Sequence, residues 1–175
     1  MSTIGMKRDS LNGVWVLDKN RGTWTMRGYL ETLHVTELAI QAHEKGESDH
    51  DTFHSITMDT KTVHIVKRSR VNNDLVVDLT LGLEDVQYLQ PGERAKKSLA
   101  VSEHAGHLEI ASSLMTMNGM AQIKDTKRLV QEAEASVLIQ ELTITNEETG
   151  QSNTVQRYFN PHLESLEPRD MDTGS

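Results

Sequence analysis

Thr52-Phe53-His54-Ser55-Ile56-Thr57-Met58, then Asp59-Thr60-Lys61, then Thr62-Val63-His64-Ile65-Val66-Lys67-Arg68-Ser69-Arg70-Val71 sets the character of this chain. Two runs rich in β-branched residues flank a short polar turn, the pattern of a β-hairpin. The same unit recurs downstream. Runs at 75–81, 97–103, 107–115, 122–132, 137–145 and 154–159 read as strands, separated by Asn72-Asn73-Asp74, Ala105-Gly106, Asn118-Gly119 and residues 147–150. A shorter run at 86–89 and an earlier one at 11–18 (Leu11-Asn12-Gly13-Val14-Trp15-Val16-Leu17-Asp18) bring the series to about ten strands. No helix-length segment interrupts it after Gly46. Such spacing predicts an antiparallel meander closing into a barrel or sandwich, and argues against a parallel sheet.

Between the first strand and the hairpin the period changes. Apolar residues at 29, 30, 33, 38 and 42 form a helical stripe whose phase breaks near His34-Val35, so two short helices or one long one fit equally. Lys45-Gly46 reads as the helix stop and 47–51 as a polar loop. Gln131-Glu132-Ala133-Glu134-Ala135 is locally helix-favouring, which leaves a helix across the late strands open. Residues 1–10 read as a flexible leader, 11–160 as one domain and 161–175 as a disordered tail.

Composition removes several classes of function. The 175 residues suffice for one domain, and 36% hydrophobic with 25% charged residues fits a globular chain. A net charge of −8 disfavours a phosphate backbone as partner, so no nucleic acid is expected. The absence of cysteine excludes disulfides, thiolate metal sites and cysteine nucleophiles together. Neither a signal-peptide run near residues 1–11 nor a membrane-length apolar segment is present, which predicts a cytoplasmic address and no stable membrane insertion.

The order of these elements resembles the intracellular lipid-binding protein family, the fatty-acid- and retinoid-binding calycins, on four stretches. Asn12-Gly13-Val14-Trp15 is similar to the family's Gly-x-Trp opening. Tyr29-Leu30-Glu31-Thr32-Leu33, followed by 35–41, resembles its lid. Residues 69–73 and Leu79-Thr80-Leu81-Gly82-Leu83-Glu84 resemble a strand, turn, strand and Leu-Gly-x-x-Phe segment, with Arg94-Ala95-Lys96-Lys97-Ser98 after it. Thr154-Val155-Gln156-Arg157-Tyr158-Phe159 is similar to the last strand, where the family shows Arg-x-Tyr. The resemblance implies an all-β, ten-stranded antiparallel up-and-down β-barrel (calycin-like) with a helix-turn-helix lid after the first strand. It also implies a cytoplasmic carrier of a small hydrophobic ligand such as a fatty acid or retinoid.

Carried over residue by residue, the polar anchor falls on Gln156 and Tyr158, with Arg157 alternating to the outside. Glutamine carries no charge, so this reading favours a neutral ligand, as in the retinol-binding branch. Gln156 and Tyr158 could equally be a mouth pair bonded to each other or to water. The family's other arginine falls near Val130. Arg128 on the same face could replace it: inward it would admit an anion, outward it leaves the interior neutral. Val35 and Leu38 would line the portal. Burying an acyl chain would contribute roughly 0.8 kcal/mol per methylene.

Other constellations read as structural. The eight histidines supply no tight metal motif, and surface or loop positions fit them better. No metal and no cofactor is expected. Lys67, Arg68 and Arg70 read as a solvated strand face or rim, Trp15 as core by the resemblance, and Met115, Met117 and Met120 as hairpin or as a pliable wall. Without a Gly-x-Ser-x-Gly elbow or a phosphate loop, hydrolase chemistry has no support. An isomerase or cyclase on the same barrel is the alternative function, marked by an inward acid or histidine of perturbed pKa; Glu109, Glu141 and Asp78 read as exterior. A filled barrel serving as an interaction domain is a third.

Overall fold

The computed structural model describes residues 6–69, 74–89, 92 and 94–167. Strand β1 (Gly13–Gly22) leads into helices α1 (Arg27–Thr32) and α2 (Glu37–Asp49). Nine strands follow: β2 (Phe53–Met58), β3 (Thr62–Arg68), β4 (Leu75–Thr80), β5 (Asp85–Leu89), β6 (Arg94–Val101), β7 (His107–Thr116), β8 (Gly119–Gln131), β9 (Ser136–Asn146) and β10 (Ser152–His162). The spatial order is β4-β3-β2-β1-β10-β9-β8-β7-β6-β5, all antiparallel. This is the expected ten-stranded, nearly closed barrel. β1 closes it by pairing with both β2 and β10. The ends of the series, β4 and β5, share no ladder among the described residues; there the Gly82 N–H donates to the Ala100 carbonyl of β6 at 2.8 Å.

Two helices form because the chain reverses at His34, whose φ is +60°. Thr36 then caps α2, its hydroxyl accepting from the Ala39 N–H at 3.3 Å. The expected stop at Gly46 is overrun, and α2 continues to Asp49. A mid-helix glycine costs about 1 kcal/mol against alanine. Glu47, one residue on, joins this overrun turn to β10 through a buried ion pair. The helix-favouring stretch at 131–135 is a turn: the Glu132 N–H donates to the Ala135 carbonyl at 3.1 Å between two strands that pair through Gln131 and Ser136. Tertiary pairing overrides local propensity here. The Asn72-Asn73 turn, Arg70 and the tail from Pro168 lie outside the described residues.

The interior is layered. At one end Leu11, Trp15, Leu17, Ile56, Ile65, Leu108, Leu138 and Phe159 form an apolar core. The Trp15 indole N–H donates to the Leu11 carbonyl at 2.8 Å, which satisfies the one polar atom the ring buries. Arg8 closes this end. Its guanidinium lies 4.5 Å above Trp15 and donates to the carbonyls of Val14 and His162, so the segment before residue 11 is tied to the barrel from Met6 onward. At the opposite end a smaller apolar cluster, Ala121, Ile123, Leu142, Ile144 and Val155, packs against Met26, Tyr29 and Leu33 of the lid.

Gly22 shows how the lid is joined to the barrel. Its φ is +62°, and a Cβ there would stand 2.3 Å from the Gln156 carbonyl oxygen and 2.8 Å from the Tyr158 ring. Gly22→Ala therefore combines a left-handed backbone with a clash against backbone. It is expected to cost roughly 2 kcal/mol or more, read as a lowered urea midpoint.

Candidate functional site

Between the two apolar layers runs a belt of charged side chains. The register explains how they come to be inside. Cross-strand partners share a face, and buried Trp15 and Leu17 pair with Pro161 and Phe159. Counting back by twos along β10 places Arg157 and Val155 inward as well, and both are buried. Arg157 pairs with Gln140 on β9, which pairs with Lys127 on β8. Asp125 follows on the same face of β8, and His54 on β2 and Lys67 on β3 face each other across their ladder.

Two ion pairs organise the belt. Lys127, only 1% exposed, donates to both oxygens of Asp125 at 3.0 and 2.9 Å. The Gln140 amide adds a bond at 3.2 Å, and the Lys67 ammonium stands 3.7 Å from the same carboxylate. Arg157 donates to Glu47 of α2 at 2.6 Å, and the Thr52 hydroxyl donates to the same Glu47 oxygen at 3.0 Å. His54 stacks on Phe159 with ring centroids 4.5 Å apart.

The electrostatics follow from this crowding. Burial alone would raise the Asp125 pKa, but Lys127 and Lys67 outweigh it and hold the carboxyl well below the usual range. Burial, then Lys127, Lys67 and Arg157, keep His54 well below its ordinary value, so it is a neutral imidazole. Although 27% of the Lys67 side chain reaches solvent, its ammonium is desolvated. Burial and neighbouring Lys127 push its pKa down to about 8. Half-buried Lys96 is lowered by burial too, and Tyr29 of α1 is raised by burial and by Asp125.

Among the described residues the ion pairs of the belt bring three cations, Lys67, Lys127 and Arg157, to two carboxylates, Asp125 and Glu47, and half-buried Lys96 acts on Lys67 and Asp125 as well. Cations are in excess. Several buried polar atoms have no hydrogen-bond partner among the described residues: His54 Nδ1, Gln140 Oε1, Arg157 Nε, Glu47 Oε1 and His43 Nδ1. Buried polar atoms are nearly always satisfied. The belt thus combines excess cation with spare hydrogen-bonding capacity, between two apolar layers. That arrangement suits an anionic head on an apolar body.

The expected anchor sits in the opposite phase. Gln156 and Tyr158 lie on the outer face, with the Tyr158 hydroxyl 3.5 Å from Gln156 Oε1 and the Arg21 guanidinium 4.3 Å over the Tyr158 ring. They are thus a pair bonded to each other, while Arg157, expected outside, is the inward residue. Arg128 is exposed on the outer face, opposite His107 and Ile139. Val35 is half-buried in the link between the helices, and Leu38 is 78% exposed on α2. Lys67 departs from the solvated face expected for it, and His54 from the surface. Asp78, Glu109 and Glu141 are on the outside as expected, Asp78 against His64 and Glu109 against Lys124. Met115 and Met117 are exposed at the β7–β8 turn.

Asp125, Lys127, Gln140 and Glu47 escaped the sequence reading. The β8 alternation Ala121-x-Ile123-x-Asp125-x-Lys127-x-Leu129 carried the signal: two charged residues in phase with apolar ones on a half-buried strand. Glu47 carried none, since its position depends on α2 reaching β10. A concavity of about 490 Å³ on the outer face of β6 to β9, lined by Lys97, Leu99, Ser113, Gln122 and Lys124 among others, lies apart from the belt.

The barrel, its two-helix lid and the internal belt together build the fold shared by fatty-acid- and retinol-binding proteins. Apo lipid binding protein 8 of Caenorhabditis elegans superposes with a TM-score of 0.63 at 19% identity, over 90% of this chain and 99% of that one. Human cRBP IV gives 0.62 at 16% identity, over 89% and 100%. A Schistosoma mansoni fatty acid binding protein in complex with arachidonic acid gives 0.59 at 14%, over 89% and 98%. No protein-family model and no curated sequence matches the chain. The likeness is therefore one of fold. No helix among the described residues is long and apolar enough to cross a membrane.

Proposed function

We propose that this protein is an intracellular carrier of a lipid with an anionic head, held inside the barrel with the head on the charged belt and the apolar body toward the lid. The observation that carries the reading is the excess buried cation. A third cation among two carboxylates in a desolvated interior is costly on its own. A ligand carboxylate would neutralise it and supply acceptors for Arg157 Nε and the lysines. Arg157 replaces Gln156 and Tyr158 as the anchor, with Lys67 and Lys127 beside it. The neutral ligand expected from Gln156 gives way to a fatty-acid-like one, the class named for the Schistosoma relative. Val35 and Leu38 remain proposed portal residues, Leu38 as the exposed apolar rim.

The test is native mass spectrometry of the purified protein, followed by titration with oleate and with oleyl alcohol. One oleate per chain, bound more tightly than the alcohol, is expected; equal or no binding of oleate would sink the reading. The pH dependence has a definite sign. A carboxylate favours protonated Lys67, whose pKa in the free protein is about 8. Oleate affinity is therefore steady below that pH and falls above it, by up to about tenfold between pH 7 and 9. Lys67→Met flattens this profile.

One observation favours a second reading. His54 is a buried neutral base with an unpartnered Nδ1, the mark expected of a barrel isomerase or cyclase. Analysis of a lipid recovered after incubation separates the two, because a carrier returns it unchanged.

A further inference from the structure

We infer that Glu47 is an internal competitor for the ligand's anion: it holds Arg157 in the unliganded protein, and a lipid carboxylate must displace it, releasing the C-terminal turn of α2. The inference rests on the carrier reading and deepens it.

Glu47 makes the bond a lipid carboxylate would make. It is 3% exposed, comes from the lid rather than from the barrel wall, and meets the inward arginine at 2.6 Å. The pair is incompletely satisfied. Arg157 and Thr52 both bond to Oε2, while Oε1 has no hydrogen-bond partner and stands 3.5 Å from the equally unpartnered His43 Nδ1. Arg157 Nε is unpartnered too, so the guanidinium engages the carboxylate through one edge nitrogen where a fork is available. A half-satisfied buried pair is one that a better-placed carboxylate can displace.

The consequence for the lid follows from how few buried side chains α2 contributes, its bonds to Arg27, Thr25 and Lys19 being exposed or part-buried. Of its 13 residues only Ile40 and Glu47 are buried. Ile40 lies in the first turns and Glu47 in the last, so Glu47 is the buried tether of the C-terminal end, beside the exposed bonds from Lys19 to the Ser48 and His50 carbonyls at 3.2 and 2.8 Å. Transfer of Arg157 to a ligand leaves Glu47 held in the interior by the Thr52 hydroxyl alone, which loosens residues 43–49. Occupancy and lid order are then coupled, and by linkage a weakened tether must raise ligand affinity by the factor that ligand loosens the tether.

The experiment compares wild type with Glu47→Gln, titrating oleate and oleyl alcohol and following amide hydrogen exchange over residues 41–49. The expected result is about tenfold tighter oleate binding by the variant, with little change for the alcohol. Oleate should also speed exchange over 41–49 in wild type, and in the variant that exchange is fast from the start. Thr52→Val, which removes the hydroxyl bond to Glu47 without changing charge, should shift oleate affinity the same way by a few-fold. The exchange measurement on wild type needs no variant and stands if Glu47→Gln fails to fold. Oleate binding unaltered in folded variants, or no faster exchange in liganded wild type, would overturn the latch while leaving the carrier intact. Failure of both lipids to bind wild type and variants would overturn the carrier reading itself.

Discussion

Arg157→Met is expected to lose both stability and oleate binding. The substitution keeps roughly the length of the side chain but strands the Glu47 carboxylate in a buried site, where only Thr52 still donates to it. Breaking a buried ion pair from one side costs about 3–5 kcal/mol. The loss should appear as a lowered urea midpoint with unchanged slope. Replacing both partners by apolar residues avoids the stranded charge, so Arg157→Met with Glu47→Leu should recover most of the stability. Oleate binding should not return in the double variant, because the belt cation is gone. This split separates the structural role of the pair from its role in holding an anion. A single variant that loses less than about 1 kcal/mol would mean that the pair is solvated in solution.

Asp125→Asn acts in the opposite direction on the ligand. Asp125 is the one carboxylate shared by Lys127 and Lys67, and the amide leaves two desolvated ammonium groups without an anion. A loss of roughly 3 kcal/mol or more is expected in the free protein. Oleate should restore more stability to this variant than to wild type, because it supplies the missing charge; thermal melts with and without oleate measure the difference. The acid limb provides an independent check. The folded Asp125 pKa lies below its unfolded value, so its contribution is fully present above about pH 4 and is lost as the pH falls toward the folded pKa. Wild type should therefore lose stability more steeply than Asp125→Asn between about pH 4 and 2.

The large-scale fold was legible because it depends on local and repeating features. Turns such as Asn118-Gly119 fall between runs of β-branched residues, and neither needs a distant partner to be recognised. Every expected strand formed within a few residues of its boundaries, and the break at His34-Val35 became the joint between two helices. The interior was only half legible. On β10 the chain reads Val155-x-Arg157-x-Phe159 against Gln156-x-Tyr158, and either phase presents one aromatic and one polar residue. A slip of one residue exchanges the two faces. The resemblance favoured the phase with Gln156 inward. The ladder from Trp15 and Leu17 to Pro161 and Phe159 requires the other.

Sequence alone determined an antiparallel meander of about ten strands and the place of the helical insert, since hydrophobic period and turn chemistry are properties of neighbouring residues; closure into a barrel and the core role of Trp15 were what the family resemblance implied. Only the tertiary structure decided that Arg157 faces inward, that Lys67 shares Asp125 with Lys127, and that Glu47 reaches Arg157 from 110 residues away. Burial of a charge is settled by what surrounds it in space. An isolated charge would have been excluded from the interior; Arg157, Glu47 and Lys67 are each kept there by a partner on another strand or helix, and Lys127 by Asp125 two residues along its own strand.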